Sequence, residues 1–258
     1  MEAGATGTET SKAANGHISV RGYFGASPSV EIVRVALFEA IRIFNLAPTS
    51  LIDLKVSELA DRDWLAEWKK NWQPTEVGRF IVAPPWSEVG NANDRIVIRI
   101  EPGMAFGTGT HETTRLCLKA IEKYFRGGSF LDVGTGTGIL AIAAAKLFPD
   151  AHVEGCDSDT EAIAIALKNA QLNGVADQID FRVGSVDERT PSADLVCANL
   201  TAPAIVDLLP SLLGVTCGRL VLSGILNSQI ELVQSRLLEL GATNFESAQD
   251  GEWVAMVV

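Results

Sequence analysis

The sequence predicts an α/β protein in which a doubly wound, Rossmann-like sheet follows a small, truncated α+β unit. Three observations carry that expectation. From residue 96 onward, short apolar runs alternate with amphipathic helical segments, the pattern of parallel strands joined by crossover helices. A glycine-rich loop, Gly134-Thr-Gly-Thr-Gly138, follows the run Phe130 to Val133, where an open parallel sheet binds its ligands. The last segment has an Asp-Gly pair between two β-prone runs, which reads as a hairpin ending the sheet on an antiparallel strand.

The elements follow in order. Residues 1–16 are small and polar and read as a disordered tail. Residues 17–60 read as a β-α-β unit, half of a ferredoxin-like fold. His17 to Phe24 alternates, Ser29 to Leu46 has Val30, Val33, Leu37, Ile41 and Phe44 at helical spacing, and Leu51 to Val56 alternates again. Residues 61–95 read as a helix and linker. Trp64, Trp68 and Trp72 share one helical face, a packing face before an aromatic ligand site. Pro74, Pro84 and Pro85 mark a linker over 74–95. Residues 96–258 form the main domain. Its expected strands are Ile96–Ile100, Phe130–Val133, Val153–Cys156, Ile179–Val183, Leu195–Ala198 and Leu220–Leu222, with a helix at His111–Phe125. Further helices are expected over 138–148, 159–173, 201–213 and 228–240, then a hairpin from Phe245–Ser247 to Trp253–Val258.

Composition narrows the function classes. The chain has 258 residues, 47% hydrophobic and 21% charged, ordinary for a globular protein. No apolar run nears the ~18 residues of a membrane span, and the first residues lack the apolar core of a secretory signal. No membrane partner is expected, and the location is expected to be cytoplasmic. Cys117, Cys156, Cys197 and Cys217 are scattered and read as free thiols in a reducing compartment. The net charge of −11 comes with no basic patch, so no direct nucleic-acid partner is expected. Three histidines, His17, His111 and His152, are too few and scattered for a metal site.

The glycine loop excludes two ligand classes before suggesting one. A phosphate loop needs a Gly-Lys-Ser/Thr ending, which is absent. A dinucleotide fingerprint wants Gly-x-Gly-x-x-Gly, and Ile139 occupies its third glycine position. Gly138 also suits plain helix–strand packing. The next strand ends at Asp157, where a carboxylate can accept both ribose hydroxyls. Asp157 could instead cap the following helix, but Ser158 and Asp159 are available for that, which favours the ligand role. A dehydrogenase would place an acid similarly. Asn199 closes the fourth strand, where it could orient a nucleophile, cap the next helix, or both.

With these residues the chain resembles a known family. Glu101 to Thr114, containing Phe106-Gly-Thr-Gly-Thr-His-Glu-Thr-Thr114, then Leu131 to Ala144, Cys156-Asp-Ser-Asp159, Ala198-Asn-Leu-Thr-Ala202 and Leu222-Ser-Gly-Ile-Leu226 are similar to bacterial ribosomal-protein methyltransferases of the PrmA type. The likeness covers roughly Trp64 to Val258. It implies a seven-stranded class I methyltransferase sheet with S-adenosyl-L-methionine (AdoMet) as cofactor. It further implies methylation of lysine and other amino groups on a partner, large-subunit ribosomal protein eleven. Thr114, Gly134, Asp157 and Asn199 become AdoMet contacts, with Gly136 as the loop's second glycine, and Gly184-Ser185 is placed near the adenine. Asn199, with backbone carbonyls of 199–201, is the expected amine-positioning group. The family's N-terminal domain is a fuller ferredoxin-like fold; only half of one is readable in this chain. His111 is either a loop-ordering residue or a substrate contact. The alternatives are a lysine methyltransferase for another protein, such as the electron transfer flavoprotein beta subunit, a non-catalytic AdoMet-fold interaction protein, or an NAD-dependent oxidoreductase.

Overall fold

The computed structural model describes residues 5, 7–12, 17–57, 73–90, 94–101, 109 and 111–258. Trp64, Trp68 and Trp72, the residues 102–108 and Thr110 lie outside them. The chain divides into two units, Met1–Glu67 and Trp68–Val258.

The N-terminal unit differs from the expected β-α-β arrangement. Its strands β1 (Gly7–Lys12) and β2 (Ile18–Tyr23) pair antiparallel as a hairpin, and helix α1 (Val30–Ile43) follows. β1 falls inside the stretch expected to be disordered. Its sequence, Gly-Thr-Glu-Thr-Ser-Lys, has no apolar alternation; the backbone ladder with β2 forms the strand without that signal. Leu51 to Val56 carries no strand, although its residues alternate, because no described strand lies beside it to accept a ladder.

The second unit opens with a three-stranded sheet, two of whose strands fall where a linker was expected, while the third is the strand expected from Ile96. β3 (Thr75–Val77) pairs antiparallel with β4 (Phe80–Ala83), and β4 pairs parallel with β5 (Ile96–Arg99). All four residues of β4 are buried. Proline punctuation concealed that run: Pro84 and Pro85 end the strand rather than interrupt it.

The main sheet has seven strands: β6 (Ser129–Val133), β7 (His152–Asp157), β8 (Ile179–Val183), β9 (Ala193–Asn199), β10 (Thr216–Leu226), β11 (Glu246–Asp250) and β12 (Trp253–Val257). Their order is β11-β12-β10-β9-β6-β7-β8. The pairs from β10 to β8 are parallel, while β12 runs antiparallel to β10 and β11. The terminal hairpin therefore forms as expected. Helices α2 (Glu112–Tyr124), α3 (Ile139–Leu147), α4 (Thr160–Leu172), α5 (Ala202–Gly214) and α6 (Ile230–Glu239) complete the unit. One apolar cluster joins α2 and α3 to β4, β5 and β6, and another joins α5 and α6 to β9, β10 and β12. Both faces of the sheet are thus covered, which explains why its central strands are continuous apolar runs. Burial pushes the Cys117 thiol up to about 12 and the Cys156 thiol up to about 11, so both are inert.

The strand order reverses at β6. β7 and β8 extend to one side and β9 and β10 to the other. A crevice must open at the carboxyl ends of β6 and β9, where successive connections depart to opposite faces.

Candidate functional site

The crevice is built first by glycines. Gly134 follows β6 with φ +73°, and a side chain there would overlap Leu200, just past β9. Gly224, in β10, has φ +90°, and a Cβ would overlap the Leu200 carbonyl. Both positions favour glycine for conformation, and Gly224 needs it for clearance from backbone as well. Leu200 N–H donates to Ser223 O at 2.9 Å, which fixes the turn after β9 between them.

The glycine loop is braced from below. Gly134 and Thr135 N–H groups donate to Cys156 O at 2.8 and 2.9 Å. Asn169, buried on α4, donates from Nδ2 to Thr137 O at 2.9 Å. Asp132 Oδ2 accepts from Thr135 Oγ1 at 2.7 Å and from Ala141 N–H at 3.3 Å. Its Oδ1 has no partner. Burial pushes the Asp132 carboxyl up to about 7, against the opposing pull of those two hydrogen bonds.

Asp157 stands at the end of β7 and lines the crevice. Its Oδ2 accepts from Gly136 N–H at 2.9 Å, and its Oδ1 accepts from Asp159 N–H at 3.0 Å. A carboxylate offers about four lone-pair sites, so both oxygens keep capacity for ribose hydroxyls. Asp159 is the N-cap of α4 and accepts from Glu161 N–H at 2.8 Å. The capping task therefore belongs to Asp159 and leaves Asp157 to the crevice.

Asn199 ends β9 and also lines the crevice. The N-cap of α5 is Thr201, without a side-chain cap bond, so Asn199 is not the cap. Its Oδ1 is buried and has no hydrogen-bond partner. Such an acceptor costs about 1–3 kcal/mol, which a ligand N–H recovers.

Gly134, Gly136, Asp157 and Asn199 meet in one crevice, with Gly184 and Ser185 on its far wall. Thr114 does not join them: it is fully buried, its Oγ1 is unpartnered, and Thr113 lines the crevice in its place. His111 orders the helix entrance and borders the crevice. It caps α2, accepting from Thr113 N–H at 3.3 Å, and it lines the crevice. Its ring meets Trp253 edge-on at 5.0 Å. Trp253, Thr113 and Gly224 escaped the sequence reading. Trp253 begins the final strand and reaches the site because β12 lies beside β10; its only sequence signal was an aromatic residue just after the Asp-Gly turn.

The crevice encloses about 570 Å³, within the ~300–1,000 Å³ usual for small-molecule sites. Its titratable lining residues are His111, Asp157 and Asp159; among the described residues it has no lysine or arginine. Two carboxylates without a balancing cation favour positively charged occupants. AdoMet carries a sulfonium and an ammonium, and a lysine substrate an ammonium. The remaining acceptor capacity of Asp157, the glycine at position 134 and the unpartnered Asn199 Oδ1 all fit the cofactor that the motifs imply.

Comparison with known proteins agrees with this geometry. The family model described as "Ribosomal protein L11 methyltransferase (PrmA)" matches residues 4–258. The ribosomal protein L11 methyltransferase of Dictyoglomus turgidum is 36% identical over 245 residues, covering 93% of this chain and 80% of the relative. That of Desulfitobacterium hafniense is 37% identical, covering 92% of this chain and 77% of the relative. The crystal structure of a ribosomal protein L11 methylase from Lactobacillus delbrueckii subsp. bulgaricus superposes with a TM-score of 0.65 at 31% identity, covering 72% of this chain and 97% of that one. A dehydrogenase assignment falls with these matches. The chain belongs to the ribosomal protein L11 methyltransferase family of AdoMet-dependent enzymes.

Proposed function

We propose that this chain transfers methyl groups from AdoMet to amino groups of ribosomal protein L11, lysine side chains among them, with Asn199 positioning the amine. The observation that carries the proposal is the buried, unpartnered Asn199 Oδ1 on the crevice wall. It stands beside the glycine loop and across from Asp157, where an amine N–H would supply the missing donor.

Bound AdoMet supplies an electrophilic methyl group on a cationic sulfonium. The chain's residues hold and orient. Asp157 would accept the ribose hydroxyls, and the Gly134–Gly136 turn would admit the cofactor against the backbone. Gly184 and Ser185 would border the adenine. A lysine amine has an ordinary pKa of ~10.4 and enters mostly protonated. Desolvation next to a positive charge lowers that value and favours the neutral amine. Asn199 Oδ1 accepts one N–H and so aims the lone pair, which makes alignment and desolvation the main catalytic terms. His111 and Trp253 would form the outer wall against which the substrate chain lies.

The N-terminal unit is assigned to substrate recognition. Its exposed Ile18, Val20, Ile32, Phe38 and Phe44 give it an apolar surface of the kind that marks a protein-binding face. The reaction then takes place in the cytoplasm, where the ribosomal protein is made.

Labelled AdoMet incubated with the enzyme and a mixture of purified ribosomal proteins tests the substrate. Label confined to L11 is expected. Label on another protein, with L11 unmodified, would remove L11 as the substrate.

A further inference from the structure

A second cavity of about 540 Å³ lies on the catalytic unit, away from the cofactor crevice. Arg99 and Lys146 line it with Asn173, beside Pro85, Val97 and the exposed Leu172. Lys146 closes α3 just before β7 begins, and Leu172 and Asn173 end α4 before β8. Helices in a doubly wound sheet run back against the strands, so their ends mark the edge where strands start. The cofactor crevice occupies the opposite edge, where strands finish.

Two cations face this cavity, and among the described residues no carboxylate lines it. Neither Arg99 nor Lys146 makes an ion pair among the described residues. Each has a structural task. Arg99 Nη1 donates to the carbonyls of Pro84 and Ser87 at 2.9 and 2.6 Å. Lys146 Nζ donates to Asn173 O at 3.3 Å. Both tasks use neutral carbonyls and leave the positive charge uncompensated. Arg99 Nε and Nη2 make no hydrogen bond among the described residues, and Lys146 keeps two further donors. Burial first, and then the neighbouring Arg99 charge, hold the Lys146 ammonium below its ordinary pKa. Asn173 locks the arrangement: its Oδ1 accepts from Arg99 N–H at 2.8 Å and its Nδ2 donates to Arg99 O at 2.6 Å.

We propose that this cavity is an oxyanion-binding site, in which Arg99 and Lys146 hold a phosphate or carboxylate group. The planar guanidinium edge is preset by its carbonyl contacts, and the ammonium supplies a second, mobile donor. Charge-assisted hydrogen bonds of this kind are the stronger class.

Thermal unfolding of the full chain tests the site, with AdoMet saturating so that the first crevice is filled. Inorganic phosphate and acetate are titrated at constant ionic strength against chloride. A saturating rise of the unfolding midpoint is expected with one anion, weakened about tenfold or more in Lys146→Met. A response to phosphate identifies a tetrahedral oxyanion as the source, and a response to acetate a carboxylate. No rise beyond chloride with either anion, or an undiminished rise in Lys146→Met, overturns the proposal. Should that variant fail to fold, the titration of Lys146 followed by NMR in the unaltered protein decides. The effective anion must move its midpoint upward, and an unmoved midpoint contradicts the site.

Discussion

Helices α1 and α2 are nearly equal in length, 14 and 13 residues, but they differ in what they bury. α1 has Val30, Ile32, Val33, Val35, Leu37, Phe38, Ile41 and Ile43, yet none of its residues is buried. α2 has more charge and buries Thr113, Thr114, Leu116, Cys117, Leu118, Ala120 and Ile121. Residue type alone does not make a core; neighbours do. α2 lies on strands β10 and β12 and against α3, while α1 has a two-stranded hairpin in its own unit. A hairpin with one helix offers too little surface to enclose an apolar face. The catalytic unit therefore carries its own core, while the described residues of the N-terminal unit leave apolar side chains exposed.

The contrast breaks first, and with the largest effect, in the core. Phe130 is fully buried at the foot of β6, edge-on to Phe125 at 5.4 Å. Phe130→Ala should cost about 3–5 kcal/mol, read by urea unfolding. A loss below ~1 kcal/mol would mean that this core does not hold the unit together.

Asp132 sharpens the comparison through pH. Its carboxyl is raised from 3.8 to about 7, so the folded state binds a proton that the unfolded state releases. Stability from this group is full below pH 3.8 and is lost as pH rises to about 7. The stability of the wild type relative to Asp132→Asn should fall across that window and then level off. Paired unfolding curves measure it, and a difference that rises with pH would reverse the assignment.

The smallest stability effect belongs to the N-terminal unit. Phe44 is 74% exposed, so Phe44→Ala should change stability by under ~0.5 kcal/mol. On the proposed role, the same change raises KM for L11 and leaves kcat unaltered. An unchanged KM would detach this surface from substrate recognition.

The parts legible in the sequence are those whose signal is local. β8 was expected over Ile179–Val183, its observed span, and β6, β7 and β9 differ by one or two residues at an end, because buried parallel strands are written as apolar runs. β1 and the β3–β4 hairpin were missed. The first is polar throughout, and the second sits among prolines that read as a linker. The same division holds at the site. Gly134, Gly136, Asp157 and Asn199 follow strand ends of one sheet and could be placed from topology. Trp253 and Gly224 arrive through the packing of β12 on β10. The exchange of Thr113 for Thr114 depends on the angle at which α2 meets the crevice, which no local pattern encodes.

The role proposed for Asn199 joins fold to chemistry, and one paired measurement tests it. AdoMet affinity and the rate of L11 methylation should be determined for the wild type and Asn199→Ala, with unfolding curves as the control for folding. Loss of the amine acceptor should lower kcat by ~10²-fold, with AdoMet binding weakened far less because Asp157 and the glycine loop remain. Methylation at the wild-type rate by a folded Asn199→Ala enzyme would contradict the account.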